Sequence, residues 1–168
     1  MSADASLYDA FAKLGSGVCL VTVNDDGRDV GFVAASVLTA SVDPFAIAVS
    51  VGGRRPGLSA IMAGRPWALS VLSVDHLPLV ETLTGPTSPA ERSEALAAAG
   101  AHRSPEGVLW VPDSLASVWC TTSSTMPVND QVLIVGDVVR GSSRDGTPLL
   151  RWDHGFHTTG DVRESRAA

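Results

Sequence analysis

The sequence predicts a mainly β domain, a closed barrel or a sandwich with a few helices at its periphery. Two observations carry this. Most apolar residues fall in short runs rich in Val and Ile, and few segments show a helical period. Turn pairs part these runs: Asp26-Gly27, Asp43-Pro44 and Asp145-Gly146. No internal repeat or linker interrupts the pattern, so residues 1–168 are read as one domain. Its core spans about 8–160, and the charged tail over 161–168 is expected to fray.

The elements follow in order. Ser6 is expected to cap a helix running to Leu14, with Leu7, Ala10, Phe11 and Leu14 on one face and Gly15 as a left-handed exit. Strands are expected over 18–23, 30–39 and 45–51. Pro56 reads as the first position of a short helix, with Leu58, Ile61 and Met62 inward and Gly64 at its end. Trp67, Leu69 and Val71 alternate with smaller residues and predict a strand over 66–73. Ser73 or Asp75 caps a helix to Leu83. Ser88-Pro89-Ala90-Glu91 is a capping box with a first-position proline, and its alanine-rich helix ends at Gly100. Further strands are expected over 108–111, 115–125, 131–140 and 147–152, with Asp145-Gly146 as a tight turn.

Composition narrows the function classes. The chain is 45% hydrophobic and 18% charged, inside the globular range. Its net charge of −6 argues against a nucleic-acid or anionic-membrane partner. No signal-like segment opens the chain and no apolar run reaches membrane-spanning length, so the expectation is cytoplasmic. Two cysteines, Cys19 and Cys120, cannot build a four-thiolate centre, and both sit in apolar runs as small hydrophobes.

Several chemistries lack their signatures. There is no G-x-G-x-x-G after a strand, no Walker A loop, no H-E-x-x-H and no G-x-S-x-G elbow. His154 and His157 flank Phe156 without an obvious third ligand, so no metal is assigned. His76 and His102 read as solvated.

One ordered set of segments is more informative. It comprises Gly17-Val18-Cys19-Leu20-Val21, Gly31-Phe32-Val33-Ala34-Ala35-Ser36, Asn129-Asp130-Gln131-Val132-Leu133 leading to Gly136, Leu149-Leu150-Arg151-Trp152, and Gly155-Phe156-His157. In this order, from residue 8 to residue 160, they resemble the flavin reductase-like family of FMN-binding split barrels. The resemblance implies an antiparallel split barrel of six or seven strands. It implies a homodimer that binds FMN or FAD and takes hydride from NADH or NADPH. It also implies a two-component monooxygenase as the destination of the reduced flavin. Such chemistry needs no acid–base set, because the cofactors carry it and the protein supplies alignment and charge control.

The resemblance also implies site residues. The small-residue segment Val33, Ala34, Ala35, Ser36, Val37 and Leu38 would line the flavin; its backbone can approach a flat ring, and Ser36 offers a hydroxyl. The turn carrying Ser50, Val51, Gly52, Arg54, Arg55, Gly57, Leu58 and Ser59 would hold the phosphate. Paired arginines beside a helix start favour that reading on physical grounds alone. Pro56 and Gly57 depart from the polar residues usual there. Thr84 and Arg92 match the segment that closes over the flavin, with Ser93 replacing an aromatic. Gln131 stands where relatives often carry histidine; it borders the nicotinamide pocket as a hydrogen-bonding group that does not titrate near neutrality. Trp152 and Phe156 would line the substrate pocket. The alternatives are a flavin carrier or electron-transfer protein without turnover, a pyridoxamine-phosphate-type oxidase, and a barrel used only for protein contacts.

Overall fold

The computed structural model describes residues 3–160. The expected frayed tail over 161–168 lies outside the described residues. The chain begins with α1 (Ala3–Phe11), short β1 (Ser16–Gly17), β2 (Cys19–Asp25) and β3 (Arg28–Ala34). Then come β4 (Val37–Val42), β5 (Phe45–Gly52), α2 (Leu58–Met62) and β6 (Trp67–Val71). A 3₁₀ turn (Val74–His76) leads into α3 (Leu77–Thr84), followed by α4 (Pro89–Ala98), β7 (His102–Arg103) and β8 (Leu109–Trp110). The long hairpin of β9 (Ala116–Val128) and β10 (Gln131–Ser143) precedes β11 (Leu150–Trp152) and β12 (Gly155–His157).

Seven strands form one antiparallel sheet in the order β3-β2-β6-β9-β10-β5-β4. Its two edge strands, β3 and β4, are neighbours in the chain, joined only by Ala35 and Ser36. Two residues cannot span a wide sheet. The sheet must therefore curl until its edges meet at this joint, and no ladder closes the seam. This is a seven-stranded split barrel, as expected. The continuous strand expected over 30–39 is thus two strands, broken where the barrel is split. The backbone N–H of Ser50 donates to the Ser36 carbonyl at 3.0 Å and pins the joint to β5.

Apolar packing fills both sides of β2. Val21 and Val23 point into the barrel with Phe32, Val49, Ile61, Trp67 and Ile134. Leu20 points outward, where Leu72, Val80, Leu83 and Leu96 seal α3 and α4 against the sheet. That is why β2 reads as an unbroken apolar run instead of an alternating one. Cys19 and Cys120 are free and buried, and burial pushes both thiols up to about 12. Among the described residues no helix is long and apolar enough to cross a membrane.

Local signals held where the chemistry is local. Asp26 and Gly27 have φ of 50° and 89°, the left-handed pair of a tight β2–β3 hairpin. Ser88 and Glu91 form the capping box of α4, and Gly100 takes a left-handed φ of 74° beyond its end. Other expectations need correction. α1 starts before Ser6, which lies inside it, and Gly15 leaves without a left-handed turn. Leu7, Phe11 and Leu14 are 71%, 70% and 62% exposed, so the apolar face of α1 meets solvent in the protomer. α2 begins at Leu58 after a left-handed Gly57, so Pro56 is not its first residue, and Met62 is exposed. β10 runs past the expected end at residue 140 to Ser143. Asp145-Gly146 is no tight turn, because the following strand β11 pairs with β1 and not with β10.

His76, expected to be solvated, is only 5% exposed. Its Nδ1 accepts from the Ser73 backbone N–H at 3.1 Å and lies 2.9 Å from Ser73 Oγ. Burial lowers its pKa from 6.5, against opposing pulls from Asp75, the Ser73 backbone and Asp113. A lowered folded-state pKa means the unfolded chain takes the proton first. Stability is then full above 6.5 and falls as pH drops below it. Urea midpoints measured across this range should show the loss, and His76→Gln should flatten it. An equally steep acid limb in the variant would assign the titration to another group.

Candidate flavin site

The β3–β4 joint, the turn after β5 and the start of β10 converge. Register places Gln131 opposite Gly52, and Ser50 opposite Leu133. The backbone N–H of Gly53 donates to the Asp130 carbonyl at 2.8 Å, tying the two loops together. A Cβ at Gly53 would sit 3.2 Å from that same oxygen, so the close approach favours glycine. Gln131 Nε2 donates to Asp130 Oδ2 at 3.1 Å. The amide is thereby oriented along the strand edge, beside Gly52, whose Cβ would meet it at 3.9 Å.

A small cavity of about 180 Å³ opens between β3, the turn after β5 and α4. Its walls include Gly31, Phe32, Arg55, Pro56, Arg92 and Leu96. Arg92 Nη1 donates to the Leu83 carbonyl at 2.9 Å and Nη2 to the Gly31 carbonyl at 3.2 Å. These bonds fix the guanidinium against the end of α3 and the edge of β3. Arg55 lies over the buried Phe32 ring, 5.7 Å from its centroid. Arg28 and Asp29 border the same space. Burial pushes the Asp29 carboxyl up, but bonds from Arg103 and Asn24 outweigh it and hold the pKa below 3.8. Asp29 is thus paired with Arg103, at 2.7 Å, and among the described residues no carboxylate forms an ion pair with Arg55 or Arg92. The cavity offers one guanidinium held in place, Arg92, and one exposed guanidinium, Arg55, beside apolar walls, an arrangement suited to a phosphate ester joined to a less polar body.

The expected site residues divide into groups. Arg55 and Arg92 meet in this cavity, and Gly52 and Gln131 meet beside it. Val33 packs outward against the α3–α4 core, whereas Ala34 and Val37 face the barrel interior. Ala35 and Ser36 form the joint, and Leu38 is 57% exposed on the outer face. Val51 and Leu58 are barrel core, and a Cβ on Gly57 would meet Val23 Cγ1 at 2.8 Å, so this glycine serves packing. Arg54, Ser59 and Thr84 are exposed and outside the cavity walls; the Thr84 hydroxyl donates to the Val80 carbonyl at 2.8 Å. Trp152 and Phe156 belong to the separate β1-β11-β12 sheet. There the Trp152 indole donates to the Lys13 carbonyl at 3.1 Å and Phe156 packs on the α3–α4 core. Sequence reasoning missed Phe32 and Leu96. Leu96 lies four residues beyond Arg92, on the same helical face, a spacing that could have found it.

The family model described as "Flavin reductase like domain" matches residues 11–160. The chain belongs to the flavin reductase-like family. An NADH:riboflavin 5′-phosphate oxidoreductase of Streptomyces pristinaespiralis is 31% identical over 159 residues, 91% of this chain and 86% of that protein. The reductase component of an FADH(2)-dependent resorcinol hydroxylase from a Rhizobium species is 29% identical, over 74% of this chain and 69% of that one. Among solved structures, the flavin reductase component of a bacterial two-component tryptophan halogenase has a TM-score of 0.84 at 22% identity, covering 95% and 99% of the two chains. At such identity it speaks for the shared split barrel. The flavin reductase-like family thus accounts for the split-barrel fold of this chain.

Proposed function

We propose that this flavin reductase-like chain transfers hydride from NADH or NADPH to FMN or FAD and releases the reduced flavin to a monooxygenase component. Membership of the family and the names of its relatives make it an NAD(P)H-dependent flavin oxidoreductase. The observation that carries the site assignment is the meeting of Arg55 and Arg92, far apart in sequence, in one cavity. They are the residues that hold the flavin phosphate in this reading. Ala35 and Ser36 leave room for a flat ring to approach the backbone at the seam. Bound flavin supplies the hydride-accepting atom. Gln131 orients its neighbour by hydrogen bonding and moves no proton, since an amide does not titrate near neutrality.

Purified protein mixed with NADH and excess FMN should consume NADH catalytically. Flavin binding without NADH oxidation would favour the carrier reading instead. At Gln131 the expected results are specific. Gln131→His should introduce a pH break in flavin reduction near the ordinary imidazole pKa of about 6.5. Gln131→Ala should slow reduction modestly with flavin affinity retained. Stopped-flow reduction across pH measures both, and an unchanged rate and profile in both variants would remove Gln131 from the site.

We further propose a homodimer, a single domain over the whole chain and a cytoplasmic setting; the two buried free thiols agree with reducing conditions. Exposed Leu7, Tyr8 and Phe11 on α1, with Leu38, Val42 and Met126 on the outer sheet, support the dimer. A nine-residue helix is marginal without tertiary cover. Light scattering across protein concentration tests it, and a persistent monomer would refute it.

A further inference from the structure

Asp29 is the one carboxylate among the residues lining the Arg55–Arg92 cavity. It stands on β3 two residues before Gly31, so the two share a face of the strand. That face looks toward α4: a Cβ on Gly31 would lie 3.4 Å from Leu96 Cδ1. Arg92 stands one helical turn before Leu96, and its Nη2 donates to the Gly31 carbonyl at 3.2 Å. Two residues of strand span about 7 Å, so Asp29 and the Arg92 guanidinium are neighbours on one surface. A free carboxylate there would compete with any anion for the cavity's guanidiniums.

The structure keeps that carboxylate occupied. Arg103 of β7 grips it with both arms, Nη1 donating to Oδ1 at 3.1 Å and Nη2 to Oδ2 at 2.7 Å. Asn24 Nδ2 also donates to Oδ1, at 2.9 Å. Arg103 is itself held in place, because its Nη1 donates to the Gly107 carbonyl at 2.8 Å. Gly107 takes a left-handed φ of 80°, and its N–H donates to the Ser104 carbonyl at 2.9 Å, which closes the β7–β8 turn. The hairpin is anchored in turn. The Thr22 hydroxyl of β2 donates to the Leu109 carbonyl, and Trp110 meets the buried Trp119 ring edge-on at 5.1 Å.

We propose that Arg103 is a positioning residue for the anion site: by holding Asp29 in a two-point pair, it keeps the Arg55 and Arg92 guanidiniums open to a phosphate. The β7–β8 hairpin thereby acts on a cavity that none of its residues lines. This role rests on the flavin-phosphate reading of that cavity. Without Arg103, the Asp29 carboxylate has Arg92 as the cation next along its face, and a guanidinium paired there offers less charge to the ligand. The Arg103 side chain is 49% exposed, so the effect is moderate and weakens with salt.

FMN and riboflavin are titrated into the full chain and its variants, with thermal melts alongside. Arg103→Gln should weaken FMN about three- to tenfold and leave riboflavin unchanged. Arg103→Lys, which keeps the charge but loses the fork, should lose less. Adding Asp29→Asn to Arg103→Gln should return FMN to within about twofold of the parent. A merely structural pair would lower both ligands together, and removing its second member would rescue neither. Asp29→Asn alone leaves Arg103 unpaired and should bind FMN at least as tightly as the parent. Arg55→Ala in the same series tests the reading underneath. If that variant keeps the preference for FMN over riboflavin, the phosphate lies elsewhere and the role of Arg103 falls with it. If it loses the preference while Arg103→Gln keeps parental FMN affinity, only the role of Arg103 falls. Equal losses of the two ligands in Arg103→Gln, no recovery in the double variant, or weaker FMN binding by Asp29→Asn would each overturn the proposal.

Discussion

Gly136→Ala should lower the melting temperature by roughly 10 °C, the largest stability loss expected from adding one methyl group to this chain. Gly136 faces the barrel interior in the middle of β10, opposite Ile47 of β5. A Cβ there would lie 2.4 Å from Trp67 Cζ2 and 3.0 Å from Cys120 Cβ. The Trp67 ring cannot step aside freely. It is 1% exposed, and its indole N–H donates to Thr122 Oγ1 at 3.1 Å. Thr122 in turn donates to the Ile61 carbonyl at 3.0 Å, so shifting the ring breaks a chain that ties β6, β9 and α2. Overpacking costs about 1–3 kcal/mol and a broken buried bond about 1–3 more. At about 2–4 °C per kcal/mol for a domain of this size, the sum gives the stated drop. Gly141→Ala on the same strand is the control, since its Cβ would meet Val118 Cγ1 at an ordinary 3.5 Å. Trp67→Phe combined with Gly136→Ala should be less destabilised than the sum of the single changes, because the six-membered part of the indole is what collides. Thermal melts of the four variants decide it. Additive losses, or a Gly136→Ala protein as stable as the parent, would contradict the packing described.

Arg55→Ala should weaken FMN binding about 10- to 100-fold and leave riboflavin nearly unaffected. Charge-assisted bonds to phosphate are worth about 1.5–3 kcal/mol, which is that range of affinity. Arg55 is the cleaner of the two cavity arginines to remove. Arg55 lies over the Phe32 ring at 5.7 Å, whereas Arg92 also satisfies the Leu83 and Gly31 carbonyls. Arg92→Ala should therefore cost stability as well as affinity. Arg54→Ala should change FMN affinity by no more than the 0–1 kcal/mol typical of an exposed charge, because Arg54 lies outside the cavity. Titrating all three variants with FMN and riboflavin separates phosphate recognition from general damage. Equal losses for the two ligands, or a larger loss at Arg54 than at Arg55, would place the phosphate elsewhere. The loss should shrink at high salt, as screening weakens the partly exposed guanidinium.

The sequence by itself determined what depends on neighbours in the chain. The Asp26-Gly27 hairpin needs a left-handed pair, which glycine permits at once. The Ser88–Glu91 box closes within four residues. The apolar runs of β2 and β5 announce strands because burial on both faces leaves little choice of residue. Ordered together, such segments also identified the family. The tertiary structure alone decided where the sheet ends. The apolar stretch over 30–39 has no breaker, yet Ala35 and Ser36 form the seam, since closure is a property of seven strands and not of one. Pairing across the molecule also sorted the two arginines: the turn after β5 sends Arg55 toward Arg92 and leaves Arg54 in solvent. Neither of those contacts has a sequence period, because the partners come from a loop and from a helix whose approach is set by Leu96 and Leu83 packing on the outer face of the sheet. His76 makes the same point. Its solvated reading followed from a helix-start position, but Ser73 and the apolar contacts of α3 draw the ring inward, a choice that local propensity does not encode.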